Sequence, residues 1–321
     1  MKKIQKPYMS MKTSFRGLVM MVLAGYFPSG ATAQTTVYSD NFAADSSVSS
    51  SYLSANTTGG TGWAFNAGTG LDLNPSGSGK LSDLVGSFSA VTLADPNDYI
   101  SFVVNFSSAN IAQGGTTAAG GLLFALDNSF GVTPTSLGAT ESESSTATGG
   151  ATAGYVGYLG DIAFNNSPKT GTKFFAKTGS GNNNLSYNSN VSPKTQVSTS
   201  VPNANNANLV NNDSYTVTYT VTALNAGASQ DQITAQIYDN TLGQLVDNFT
   251  LGATNGAAYV TPTTTFDTFD IGVYTGTEGG YGVNLSSIAV VDSIQPVPEP
   301  GISALAGIGI AALVGLRRAG K

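Results

Sequence analysis

Neither cysteine nor histidine occurs among the 321 residues of this chain. Without cysteine there is no disulfide, no thiol nucleophile and no thiolate ligand, so the fold must hold by packing and hydrogen bonds alone. Without histidine, the Ser-His-Asp and Cys-His arrangements, the usual zinc sites and haem ligation by imidazole are excluded. Arginine is confined to Arg16, Arg317 and Arg318, and the single tryptophan is Trp63. Between positions 34 and 296 the only cations are Lys80, Lys169, Lys173, Lys177 and Lys194. Eighteen of the nineteen acidic residues share that region, Glu299 lying outside it, so its balance is 5 − 18 = −13, although the whole chain stands at −6. A surface so acidic repels polyanions, which speaks against nucleic acid and acidic polysaccharide as partners. Neutral glycans, divalent cations and other proteins remain.

Long apolar runs are also scarce, and both lie at the termini. Lys12 and Arg16 precede an apolar stretch from Gly17 to Phe27, which is followed by Ala31-Thr32-Ala33. A basic start, a short apolar run and a small-x-small step predict a secretory signal peptide over residues 1–33, cleaved between Ala33 and Gln34. As a retained anchor the run is too short to span a bilayer. At the other end, Val297-Pro298-Glu299-Pro300 leads into an uncharged segment from Ile302 to Leu316, then Arg317-Arg318. As a helix that segment rises about 1.5 Å per residue, roughly 22 Å, short of a hydrocarbon core of about 30 Å. Only Ser303 in it is polar, whereas a helix packed on a soluble core needs a polar face. The arginine pair holds its end in the cytoplasm by the positive-inside bias. A retained single-pass anchor is the other reading of this tail; a sortase signal is not, since Leu-Pro-x-Thr-Gly is absent.

The order Pro-Glu-Pro, apolar helix, paired arginines and an immediate end resembles the PEP-CTERM sorting signal of exported Gram-negative proteins. The resemblance covers about residues 296–321. It implies recognition and processing by an exosortase-type enzyme, transient residence in the inner membrane, and delivery to the cell envelope, surface or an extracellular matrix. The chain is thus expected to comprise a signal peptide (1–33), an ectodomain (34–296) and the sorting tail (297–321).

Inside the ectodomain no segment shows a helical period, and alternation with a period of two recurs. In Tyr99–Phe106, Ile100, Phe102, Val104 and Phe106 share one face; in Tyr215–Ala223, Tyr215, Val217, Tyr219 and Val221 oppose four threonines. Further strands are expected near Thr36–Phe42, Trp63–Phe65, Leu81–Phe88, Gly121–Asp127, Tyr155–Phe164, Thr172–Lys177, Asp231–Asp239, Leu245–Leu251, Thr268–Tyr274 and Leu285–Ser293. About twelve short strands with Gly, Asn and Ser turns and no helix predict an all-β antiparallel sandwich or barrel. Ser136–Gly154 and the asparagine-rich Gly179–Asp213 are expected to be long loops, with Thr195–Val201 as an edge strand within the second. The succession of Tyr215-Thr-Val-Thr-Tyr219, Ile237-Tyr-Asp-Asn240, Phe269-Asp-Ile-Gly-Val273 and Ile288-Ala-Val-Val-Asp292 resembles the concanavalin A-like, laminin-G-like jelly rolls. That resemblance implies a β-sandwich, often with one structural ion.

Chemistry is sparse. A jelly-roll glycosidase of the laminarinase kind needs Glu-x-Asp-x-x-Glu on one strand, which sets two carboxylates about 5 Å apart. The ectodomain glutamates are only Glu141, Glu143 and Glu278, and that run is missing. Asp267 and Asp270, three apart, are expected to project to opposite faces of a strand. Asp95, Asn97 and Asp98 form a candidate calcium cluster of hard oxygen ligands, as do Asp127 and Asn128; both sets equally suit ordinary turns. Trp63 is a candidate sugar-stacking ring or a core residue. The expectation is a non-catalytic exported surface or matrix protein with a structural or adhesive role and no cofactor beyond calcium. A lectin-like module for neutral glycans is the alternative, and a glycoside hydrolase a more remote one.

Overall fold

The computed structural model describes residues 33–46, 52–56, 63–74, 80–110, 121–131, 155–163, 173–178, 194–198, 209–227, 230–251, 259–260, 263–275 and 282–294. The expected signal peptide, the sorting tail and the loop 136–154 lie outside them, as does most of 179–208. Gln34–Ile294 forms one compact unit. Among the described residues no helix is long and apolar enough to cross a membrane.

Alternating sequences become strands because each buries one face. Among the described residues sixteen form: β1 Ala33–Asp40, β2 Leu53–Asn56, β3 Ala64–Asn66, β4 Gly70–Leu73, β5 Lys80–Thr92, β6 Tyr99–Asn110, β7 Gly121–Asn128, β8 Val156–Ala163, β9 Lys173–Thr178, β10 Lys194–Ser198, β11 Ser214–Ala223, β12 Gln230–Asp239, β13 Gln244–Leu251, β14 Tyr259–Val260, β15 Thr265–Thr275 and β16 Gly282–Ile294. They build two sheets. Sheet A runs β13-β12-β11-β6-β16-β4-β3, with β1 also on β16 and β14 also on β12; sheet B runs β10-β9-β8-β7-β15-β5-β2. The ladders are antiparallel throughout β11–β12, β11–β6, β16–β6, β15–β5 and β15–β7. The chain is therefore an all-β antiparallel sandwich. Within the asparagine-rich region, β10 pairs with β9 at the edge of sheet B.

Strand β11 shows why the sheets face each other. Tyr215, Val217, Tyr219, Val221 and Ala223 are buried, and the threonines between them are half-buried on the opposite face. The inward rings of the two sheets meet in a single core: Phe102 of β6 stacks on Phe269 of β15 at 5.0 Å, and Tyr219 of β11 meets Phe124 of β7 edge-on at 4.7 Å. Aromatic pairs of this geometry add about 1 kcal/mol beyond the area they bury. Two glycines make room for those rings, since a Cβ at Gly86 would overlap the Phe269 ring and one at Gly160 the Phe124 ring. A polar bond crosses the core, from the Tyr158 hydroxyl of β8 to Asp231 Oδ2 of β12 at 2.9 Å. Burial raises the nearby Tyr219 hydroxyl well above its ordinary pKa, and Tyr158, Asp127 and Asp231 add to the rise.

The strand ends define two ends of the sandwich. At one, Leu93 N donates to Thr264 O, Asn97 N to Ala223 O and Gly227 N to Ala94 O, gathering the loops that follow β5, β11 and β14. At the other, Asn240 N donates to Ser214 O and Asn212 N to Ser108 O. Ten residues of β11 separate them, roughly 30 Å at about 3.3 Å per residue.

Candidate functional site

Two features stand out on the described surface. The first is the loop after β7, at the end that carries residues 93–98. The β7–β15 ladder stops at Asp127↔Thr268. On the other side of β15, the register jumps from Thr268↔Ser87 to Phe266↔Val91, so Asp267 has no single partner on β5. Its carboxylate continues the hydrogen bonding that the ladder abandons. Ser129 N donates to Asp267 Oδ1 at 2.6 Å, Ser129 Oγ to Oδ2 at 2.8 Å and Gly131 N to Oδ2 at 3.3 Å. Asn128 completes the clasp, accepting from Phe130 N at 2.8 Å and donating to Thr263 Oγ1 at 3.1 Å. Between these ties stands Phe130, 65% exposed and at φ 57°.

A bulky side chain in the left-handed region costs on the order of 1–2 kcal/mol. Leaving a phenylalanine in water also forgoes about 1.5–3 kcal/mol of burial. Bonds to a carboxylate contribute about 1.5–3 kcal/mol apiece and hold the loop against that tendency. Backbone strain of this kind clusters at functional sites. No sequence signal announces it, because the residue that imposes the conformation, Asp267, is distant in the chain.

The second feature is a difference between the outer faces of the two sheets. The outer face of sheet B is closed to solvent: Asp83, Leu123, Ala125, Asp127, Asp270 and Phe175 are all buried. Here Asp127 pairs with Lys177, also buried, at 3.1 Å. The cation facing Asp127 is thus supplied by the chain. Asp270 lies on this face while Asp267 reaches the β7 loop, so the two carboxylates serve different places.

The outer face of sheet A is open. Across β12, β11 and β6 its outward positions are chiefly threonine, glutamine, asparagine and serine, and all but the buried Ser101 are half-buried or exposed. Register aligns one row over five strands: Leu245↔Tyr238↔Thr216↔Asn105↔Ser287. Its polar members are bonded to one another. Asn240 Nδ2 donates to Thr216 Oγ1 at 3.0 Å, Thr216 Oγ1 to Asn105 Oδ1 at 2.6 Å, and Asn105 Nδ2 to Ser287 Oγ at 2.9 Å. Its apolar end is exposed, with Tyr238 at 41%, Leu245 at 37% and Leu242 in the adjoining turn at 61%.

The residues singled out from sequence fall elsewhere. Asp98 Oδ2 accepts from Ala94 N at 3.0 Å and Asp95 N at 2.8 Å, and Asp98 N donates to Asp95 O at 3.1 Å, which closes a turn. Asp98 is buried, whereas Asp95 and Asn97 are exposed, Asn97 at φ 73°. Among the described residues no group of three or more His, Cys, Asp or Glu is placed to hold a metal ion. Burial lifts the Asp292 carboxyl above the ordinary carboxylate range, and the negative charge of Asp98 adds to the rise. Trp63 is half-buried, its ring packed against the core cluster. Ala33 and Gln34 fall in β1, while Ala31 and the tail residues Val297, Pro298, Glu299, Pro300, Arg317 and Arg318 lie outside the described residues.

No protein-family model and no curated protein matches the chain. Among solved structures it is similar to the carbohydrate recognition domain of Emp46p in its metal-free form, at 12% identity and TM-score 0.45, over 80% of this chain and 97% of that one. Lectin II from Ulex europaeus aligns at 10% identity and TM-score 0.44, over 81% of this chain and 100% of that one. Peanut lectin with a nonamer peptide aligns at 12% identity and TM-score 0.42, over 81% and 97%. At this level of likeness no residue role and no ligand passes from them to this chain.

Proposed function

We propose that this chain is a non-catalytic, exported surface or extracellular-matrix protein whose jelly-roll sandwich adheres by binding neutral glycan. The observation that carries the reading is Phe130, a solvent-facing ring locked in left-handed backbone by the Asp267 clasp. A ring so held loses little freedom on contact, and its face suits the C–H surface of a sugar. The acidic balance of the ectodomain favours uncharged ligands over anionic ones. The N-terminal Ala31-Thr32-Ala33 step and the Pro298-Glu299-Pro300 tail support export and sorting.

The test is a glycan array probed with the full-length chain in mild detergent, wild type beside Phe130→Ala. Binding to neutral glycans is expected, reduced at least tenfold in the variant with circular dichroism unchanged. Binding to no glycan, or release of reducing sugar from a bound one, would overturn the reading.

A further inference from the structure

We propose that the outer face of sheet A is a second glycan-binding surface, one that takes an extended stretch of neutral polysaccharide lying across the strands. The class of ligand rests on the function proposed above; the site does not, since it shares no residue with the Phe130 loop and lies toward the other end of the sandwich.

Charge is the first argument. The ectodomain carries −13, yet no outward position set by the registers of β12, β11, β6 and β16 is ionisable as Asp, Glu, Lys or Arg. An acidic protein that clears charge from one broad face fits a partner that is itself uncharged, because burying an unpaired ion against it would be costly. Asp72 of β4, an outward carboxylate toward the far edge of the sheet, is bonded to Asn66 and Asn284.

Geometry is the second. The row Leu245, Tyr238, Thr216, Asn105, Ser287 crosses five strands, which at about 4.8 Å per strand gives roughly 19 Å. That step is close to the rise per sugar unit of an extended β-linked glycan. A linear chain can therefore set successive units over successive strands, with one ring on Tyr238 and its hydroxyls on the polar members. The side-chain bonds from Asn240 through Thr216 and Asn105 to Ser287 fix their rotamers before a ligand arrives. A hydroxyl that donates to its neighbour keeps lone pairs to accept from sugar hydroxyls, and amides keep further donors. The exposed corner of Tyr238, Leu242 and Leu245 supplies the apolar contact such recognition needs.

The experiment is isothermal titration of the full-length chain with linear neutral β-glucan oligosaccharides of increasing length, using wild type, Tyr238→Ala, Tyr238→Phe and Phe130→Ala. Affinity should rise with each added unit until the row is filled. Tyr238→Ala should lower affinity for the long oligomers at least tenfold, Tyr238→Phe should largely preserve it, and Phe130→Ala should leave the length dependence in place. Affinity independent of length, or Tyr238→Ala binding like wild type, overturns this surface and leaves the Phe130 reading standing. If Phe130→Ala abolishes all binding, the loop is the sole site and this proposal fails. If wild type binds no neutral glycan, both fall together.

Discussion

Lys177 Nζ reaches Asp127 Oδ2 across the strand between them because that strand has glycine at the crossing point. Asp127, Gly157 and Lys177 are aligned on β7, β8 and β9, and a Cβ at Gly157 would overlap the Leu126 carbonyl and the Asp127 carboxylate. Removing one member of a buried ion pair costs about 3–5 kcal/mol, since the remaining charge keeps its desolvation without its counterpart. Lys177→Met should lower the unfolding free energy by about that amount, read from the midpoint of urea denaturation. A change under about 1 kcal/mol would mean that other groups already neutralise Asp127.

At Phe130 stability and binding should move in opposite directions. Glycine accepts φ near 57° without the steric cost that phenylalanine bears there. Phe130→Gly is expected to hold or raise the unfolding free energy, by up to about 1 kcal/mol, while the glycan binding contributed by the Phe130 loop is lost. A stability loss in this variant would show the ring to be packing rather than waiting for a ligand.

Asp292 gives a pH signature. Its folded pKa lies above the unfolded value, so the native state takes up a proton that the unfolded chain does not. The ionised carboxylate therefore destabilises the fold above the folded pKa, and the penalty is relieved as pH falls toward the ordinary value of about 4. Asp292→Asn should raise the thermal midpoint at pH 7, and the gain should vanish near pH 4. A gain that is the same at both values would assign the effect to something other than ionisation.

Processing of the tail is open to mass spectrometry. If Pro298-Glu299-Pro300 directs sorting, surface protein from the native host should end near Pro300, and deletion of 297–300 should leave an uncleaved membrane form. Recovery of Lys321 on the mature surface protein would remove the sorting reading.

Strands with clean alternation were legible because their burial is decided locally. Tyr99–Phe106 and Tyr215–Ala223 lie within β6 and β11, and their inward residues face each other as Phe102↔Tyr219 and Val104↔Val217. The short strands β2, β4 and β14 were not legible. Two to four residues carry too little pattern, and their pairing is dictated by β5, β16 and β12, remote in sequence. The sites divide the same way. Alternation in Asp231–Asp239 sets Tyr238 opposite the buried Ile237, so its exposure could have been read. The row it belongs to could not, because it depends on register across five strands. Phe130 was invisible for a related reason: its backbone sign is set by a carboxylate that folding alone brings near.

Ten residues of β11 stand between the Phe130 end of the sandwich and the hairpin that carries Tyr238. Should each surface hold its own polysaccharide strand, one molecule becomes a crosslink of fixed span. Binding at one surface would then raise the effective concentration at the other, and weak contacts would add up to avidity. A gel of neutral chains would stiffen in proportion to the protein within it, with no covalent bond formed and, because the contacts are uncharged, with little response to salt.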